Sequence, residues 1–175
     1  MLTTRRLVII SLFVAQATAL NLVERFFVLP IAIPGVKLGL ANIITMLAIL
    51  LLGFKEAIFI VIVRCSLAAL LGGGPFSFLF SITGGLLSAL VMILLWKKLS
   101  SHISIISISL VGAVVHNIGQ LFVASIIVQD FRIYVYLPVL LVSALITGCI
   151  VGLVTQHSYN TLQKNTQLFK DSHIT

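Results

Sequence analysis

Acidic residues are scarce in this chain, with four carboxylates in 175 residues against eleven lysines and arginines. A carboxylate-built metal site, or an active site with paired carboxylates, needs more acids close together than this. Cysteine is scarcer still: Cys65 and Cys149 lie in apolar segments, without the spacing of a metal site or a disulfide framework. We therefore expect no metal, no cofactor and two buried, unpaired thiols.

Charge of either sign is also rare. Only 9% of the residues are charged and 60% are hydrophobic, whereas a soluble domain has about 25% charged residues. The composition predicts an all-α polytopic membrane protein. The basic residues stand mostly at the ends of apolar runs, a pattern that orients membrane helices and does not favour nucleic-acid binding.

Six apolar segments predict six transmembrane helices, although the second and third are short for a spanning helix of about 17–25 residues. Arg5 and Arg6 before the first resemble the start of a secretory signal, but we expect this segment to be a retained membrane helix. The glycines and proline of residues 72–75 predict a flexible loop. The membrane domain is placed at 1–160 and a polar tail, expected to fray, at 161–175. The segments are 7–27, 36–52, 57–71, 76–96, 103–128 and 133–154.

The basic residues orient these segments. Alternating crossings leave three of them on one side, Arg25, Lys37 and Arg132. The other side holds seven: Arg5, Arg6, Lys55, Lys97, Lys98, Lys164 and Lys170. Because basic residues collect on the cytoplasmic side, both termini are expected in the cytoplasm of a bacterial cell.

The eleventh basic residue, Arg64, lies in the middle of the third apolar segment. A charge at that depth costs about 2.5–3.5 kcal/mol on insertion scales, so it needs a partner. Two interpretations stay open and can coexist: an ion pair with Glu24, or direct contact with an anionic ligand.

Other polar residues converge on the outer half of the predicted bundle. His116, Asn117 and Gln120 share one face of the fifth helix, and Asn42 lies below Lys37 on the second. Together with Arg64 they suggest a pocket, open or gated to the outside, for a mostly apolar ligand with an anionic or hydroxylated head. The alternatives are interhelical hydrogen bonding for His116 and Asn117, and an interfacial anchor for Lys37.

Small residues recur at four-residue spacing in three places: Ala15 with Ala19, Gly84 with Ser88, and Gly148 with Gly152. Such pairs let membrane helices approach closely. They indicate either packing within the bundle or docking of another membrane subunit.

Three sequence blocks in order resemble the bacterial Gx transporter family, whose older name is component I of heptaprenyl diphosphate synthase. They are residues 34–43 (PGVKLGLANI), 77–85 (SFLFSITGG) and 112–120 (GAVVHNIGQ). Glu24 and Arg64 also fit the family pattern.

That family is similar to the substrate-binding S components of energy-coupling factor (ECF) transporters. The resemblance implies a six-helix bundle that captures a small molecule from outside and works with a transmembrane scaffold subunit and two ATPases. It implies that the chain is not itself an enzyme, that Ala15 and Ala19 dock the scaffold, and that residues 29–37 form a lid.

The family's association with quinone pathways implies a quinone precursor such as 1,4-dihydroxy-2-naphthoate. Arg64 and Lys37 would then hold the anion, with Glu24 orienting them, while Asn42, His116, Asn117 and Gln120 would supply hydrogen bonds. One alternative is a membrane subunit of polyprenyl diphosphate synthesis that binds an isoprenoid diphosphate. Another is a proton-coupled transporter using Glu24 and His116, although no inverted repeat is visible.

Overall fold

The computed structural model describes residues 4–24 and 39–171, with side chains described as far as residue 164. Within these residues the chain forms six α-helices and no strand. They are α1 (Thr4–Val23), α2 (Asn42–Leu51), α3 (Phe54–Ala68), α4 (Gly74–Leu99), α5 (Ile105–Val128) and α6 (Leu137–Asp171). A π-helical turn (Ala69–Gly73) joins α3 to α4, and a 3-10 helix (Phe131–Tyr136) precedes α6. The predicted all-α class is confirmed.

Four stretches are long and apolar enough to cross a membrane: Thr4–Val23, Phe54–Leu99, Ile105–Val128 and Phe131–Lys164. The chain is therefore a membrane protein. The second predicted segment is only the ten-residue α2 in the described part of the chain. At 1.5 Å per residue it is about 15 Å long, half the hydrocarbon thickness of a bilayer. Six separate spanning helices are thus not seen in the described residues.

The junction of α3 and α4 differs from the expected loop. A short π-helical turn joins the two helices, so Phe54–Leu99 is a stretch of 46 residues with a break inside it, and α3 packs against α4. Leu71 and Gly72 interrupt it with non-helical dihedrals, and Gly72 has φ +95°, a conformation that glycine adopts readily. Pro75 stands in the first turn of α4, where its missing N–H costs nothing. The glycines therefore produce a kink between two helices.

Two further expectations need correction on α6. The helix continues to Asp171, so the tail expected to fray is helical to that residue. Cys149, expected to be buried, is exposed. Its neighbour Gly148 faces α5, where an added Cβ would lie 2.8 Å from the Cα of Leu110. Because successive helix positions are about 100° apart, Cys149 turns away from that contact.

The short helix α2 lies at the centre of the bundle. It packs against α1, α3, α4, α5 and α6, and seven of its ten residues are buried. A polar residue at the start of α2 is therefore placed among several helices rather than at the lipid surface. Asn42 is that residue, and it is 2% exposed.

Candidate functional site

The guanidinium of Arg64 lies inside the bundle, where α3 meets α2 and α4. Arg64 is 2% exposed. Its Nη2 donates a hydrogen bond to Oδ1 of Asn42 over 3.5 Å, at the long limit of such bonds. Its Nε has no hydrogen-bond partner among the described residues. Among the described residues, the buried guanidinium thus has one long hydrogen bond to a neutral amide, and its Nε–H group remains available to donate another.

The α5 face predicted from spacing lies against the same region. His116, Asn117 and Gln120 are all buried. The amide nitrogen of Gln120 lies 3.1 Å from Nε2 of His116. An amide NH₂ can only donate, so in this orientation Nε2 of His116 is the acceptor. The contact fixes the orientation of the imidazole ring.

Asn117 points in another direction from His116. Its Nδ2 donates to the backbone carbonyl of Leu140 on α6 over 2.9 Å. Its Oδ1 is buried and has no hydrogen-bond partner in the described part of the chain. Asn117 therefore joins α5 to α6 while retaining an acceptor for a ligand hydroxyl or a water molecule.

Glu24 acts on the turn that begins α2. It follows α1, is 4% exposed, and its Oε1 accepts a hydrogen bond from the backbone N–H of Leu40. Asn42 N–H in turn donates to the carbonyl of Gly39 over 2.9 Å. This contact gives Glu24 a positioning role beside the counter-ion role considered from the sequence.

The charge balance around Arg64 favours an anionic ligand. The described residues contain an ion pair between Arg6 and Glu56, whose Nη2 and Oε1 atoms are 2.6 Å apart, and it lies at one end of the bundle. Arg64 instead contacts Asn42, whose own Nδ2 also lacks a hydrogen-bond partner there. Burying a cation without a charged partner is costly. The donor groups of Arg64 and Asn42 that lack a partner there are suited to bind the oxygens of a carboxylate or a phosphate.

Three glycines let these side chains come together, and none was among the predicted site residues. A Cβ added at Gly85 would lie 3.1 Å from Arg64 Nη2. One at Gly84 would lie 2.8 Å from the backbone oxygen of His116. One at Gly39 would lie 3.2 Å from Asn42 Nδ2. The sequence signal was Gly84 with Ser88 at four-residue spacing, for which packing within the bundle and docking of another subunit were both left open.

The remaining predicted positions have different outcomes. Lys37 and the whole of the expected lid at 29–37 lie outside the described residues. Ala15 and Ala19 are described and exposed on α1, so their face is open to a partner. No group of three or more His, Cys, Asp and Glu residues that could hold a metal occurs in the described residues.

Comparison with known proteins identifies the family. The family described as heptaprenyl diphosphate synthase component I matches residues 13–158. No curated protein matches significantly, and no solved structure does. The matched range contains α2 to α5 complete and every residue of the site just described. Since the match covers most of the chain, the protein belongs to the heptaprenyl diphosphate synthase component I family.

Proposed function

We propose that the protein is the substrate-binding S component of an ECF-type transporter in the bacterial cytoplasmic membrane. It captures a small anionic, ring-containing metabolite from outside, and partner ATPases drive uptake. The observation that carries the proposal is Arg64, a buried cation in an apolar helix, whose hydrogen bond within the described residues goes to a neutral amide at 3.5 Å.

The hydrogen-bonding groups around Arg64 describe the ligand's head. Arg64 Nε and Asn42 Nδ2 are donors, and Asn117 Oδ1 is an acceptor; none of the three has a partner among the described residues. Two donors match a carboxylate, and an acceptor matches a hydroxyl. A hydroxylated aromatic acid such as 1,4-dihydroxy-2-naphthoate carries both groups on an apolar ring system. Lys37 is proposed as a second cation for the anion.

The proposed topology has six crossings with both termini in the cytoplasm. A stretch of 46 residues is about twice the length that one crossing needs, so the kink at Gly72 marks the turn between two crossings. The exposed pair Ala15 and Ala19 gives a flat face on α1 where a scaffold helix can approach closely.

Binding to the purified protein tests the ligand. Wild-type protein in detergent is expected to bind labelled 1,4-dihydroxy-2-naphthoate, and Arg64→Gln is expected to weaken binding at least about a hundredfold, since a buried charge pair is lost. Arg132→Gln is the matched control, because it removes an exposed arginine. Equal binding by Arg64→Gln and wild type would show that Arg64 is structural.

Reconstitution tests the transporter role. Together with the scaffold subunit and two ATPases, the protein is expected to accumulate the ligand in liposomes only when ATP is supplied. Ala19→Leu should weaken assembly with the scaffold, because a larger side chain holds the helices apart. Val142→Leu, at an exposed position on α6, should not. Uptake without the ATPases, driven by a proton gradient, would refute this role.

The family description favours a second candidate, a membrane subunit in polyprenyl diphosphate synthesis. Synthesis needs metal-binding carboxylates for the diphosphate, so catalysis would lie in a partner and this chain would hold the isoprenoid substrate. Chain elongation by a partner synthase that depends on this subunit would favour this alternative over the transporter.

A further inference from the structure

A groove separates α1 from α6 on the outside of the bundle, away from the Arg64 cluster. Both helices pack on α2, but in the described residues they do not pack on each other. The gap has a volume of about 790 Å³, within the range of small-ligand sites. Its walls are apolar, with Leu12 on α1, Leu47 on α2 and Val154 on α6 among them.

One end of this groove is polar. His157, Ser158 and Thr161 of α6 line it there. Lys164 lies seven residues after His157, so it continues that edge of the helix. On the opposite wall, Arg5 lies seven residues before Leu12 and therefore on the groove-facing side of α1. Arg5 and Lys164 are both exposed.

The two cations lie at the same end of the bundle. Arg6, next to Arg5, is paired with Glu56 near the start of α3, and Lys97 near the end of α4 lies 4.7 Å from the ring of Phe54. On α6, Gly152 lies against Ile106 at the start of α5. The residues of α6 after Gly152 therefore extend toward the end of the bundle that holds Arg6 and Lys97. Tyr159 of α6 accordingly packs against the core cluster that contains Ile10 of α1.

We propose that the groove binds an anionic phospholipid of the surrounding bilayer, with one acyl chain between α1 and α6 and the phosphate between Arg5 and Lys164. The apolar walls match a hydrocarbon chain, the polar edge matches the ester and glycerol region, and the paired cations match a phosphate. The groove does not include the Arg64 site, so lipid binding does not depend on the proposed ligand, but the groove shares Ala19 with the face proposed for the scaffold.

Lipid retention by the full chain tests the proposal. The protein is exchanged into mixtures of phosphatidylglycerol and phosphatidylcholine with identical acyl chains, and bound lipid is counted by native mass spectrometry. One phosphatidylglycerol per chain is expected. A basic residue near an anionic head contributes about a fivefold preference, so the double variant Arg5→Gln, Lys164→Gln should lower the preference about thirtyfold. Lys98→Gln is the control, an exposed cation near the end of α4.

A groove-filling variant separates a seated lipid from general surface attraction. Thr161 is exposed and lines the groove, so Thr161→Trp should fill the polar end without disturbing the core and should abolish retention. Thermal unfolding checks that this variant folds, and Ser158→Phe replaces it if it does not.

Three results would overturn the proposal. The first is an unchanged lipid preference in the double variant, or an equal loss in Lys98→Gln. The second is displacement of phosphatidylglycerol by equimolar heptaprenyl diphosphate, which would assign the groove to an isoprenoid. The third is a wild-type protein that retains no lipid while Thr161→Trp blocks scaffold assembly, which would assign the groove to a partner helix.

Discussion

Replacing Asn42 by aspartate puts a permanent anion beside Arg64. The Asn42 Oδ1 atom lies 3.5 Å from Arg64 Nη2, and aspartate has the same shape. At an effective dielectric constant of about 20, opposite charges at that distance attract by about 4–5 kcal/mol. Burying the carboxylate costs several kcal/mol. The two terms nearly cancel, so the free energy of unfolding should change by no more than about 1 kcal/mol.

Ligand binding should respond quite differently to Asn42→Asp. The new carboxylate pairs with Arg64, which we propose as the binding group for the anionic ligand. It also repels that ligand. We expect a loss of at least about 2 kcal/mol in binding free energy, which is roughly a thirtyfold rise in Kd. Isothermal titration calorimetry with 1,4-dihydroxy-2-naphthoate measures the Kd, and thermal unfolding in the same detergent measures stability.

Asn117→Asp is the matched control, because it also replaces the amide of a buried asparagine by a carboxylate. Asn117 donates to the carbonyl of Leu140, and aspartate would lose that donor and place two oxygens together. This variant should lose about 2–3 kcal/mol of stability. The reasoning about Arg64 is refuted if Asn42→Asp binds the ligand as wild type does, or if both variants lose the same stability.

Three other substitutions test the packing around the site. Gly84→Ala should lower the free energy of unfolding by about 1–2 kcal/mol in a denaturant titration, because its Cβ meets the backbone oxygen of His116 at 2.8 Å; a more stable variant would contradict the close packing. Gly85→Ala meets the movable guanidinium of Arg64 at 3.1 Å, so calorimetry should show weaker ligand binding with a smaller loss of stability than Gly84→Ala. Arg6→Gln should change the unfolding free energy by less than about 1 kcal/mol, because the Arg6 side chain is 47% exposed in its ion pair; a large loss would show that this pair holds the bundle together.

Local periodicity predicted one half of the arrangement correctly, namely which residues share a helical face; that they bind a ligand stays a prediction. The spacing of His116, Asn117 and Gln120 placed them on one face of a helix, and all three are buried on α5. The free-energy cost of a charge in an apolar helix likewise identified Arg64. Both arguments depend on residues close together in sequence, where helix geometry alone determines what shares a face.

The other half depends on contacts between distant segments. Charge arithmetic left Glu24 and a ligand as the candidate partners of Arg64, and only the structure adds Asn42, whose Oδ1 lies 3.5 Å from Arg64 Nη2. Hydropathy gave a second segment that is short for a crossing, and α2 is shorter again, because Gly39 has φ +85° and the helix begins at Asn42. The importance of Gly85 depends on which side chain stands opposite, which no single segment reveals.

The carboxylate of Glu24 gives the exposed face of α1 a mechanical connection to the interior. Glu24 comes five residues after Ala19 and holds the turn at Leu40, two residues before Asn42. A helix transmits rotation along its axis, so a partner that turns α1 at its Ala15 and Ala19 face also moves this turn. The Asn42 amide would then shift against the Arg64 guanidinium. In the proposed transporter, this hydrogen bond would link scaffold docking at the surface to the affinity of Arg64 for its ligand.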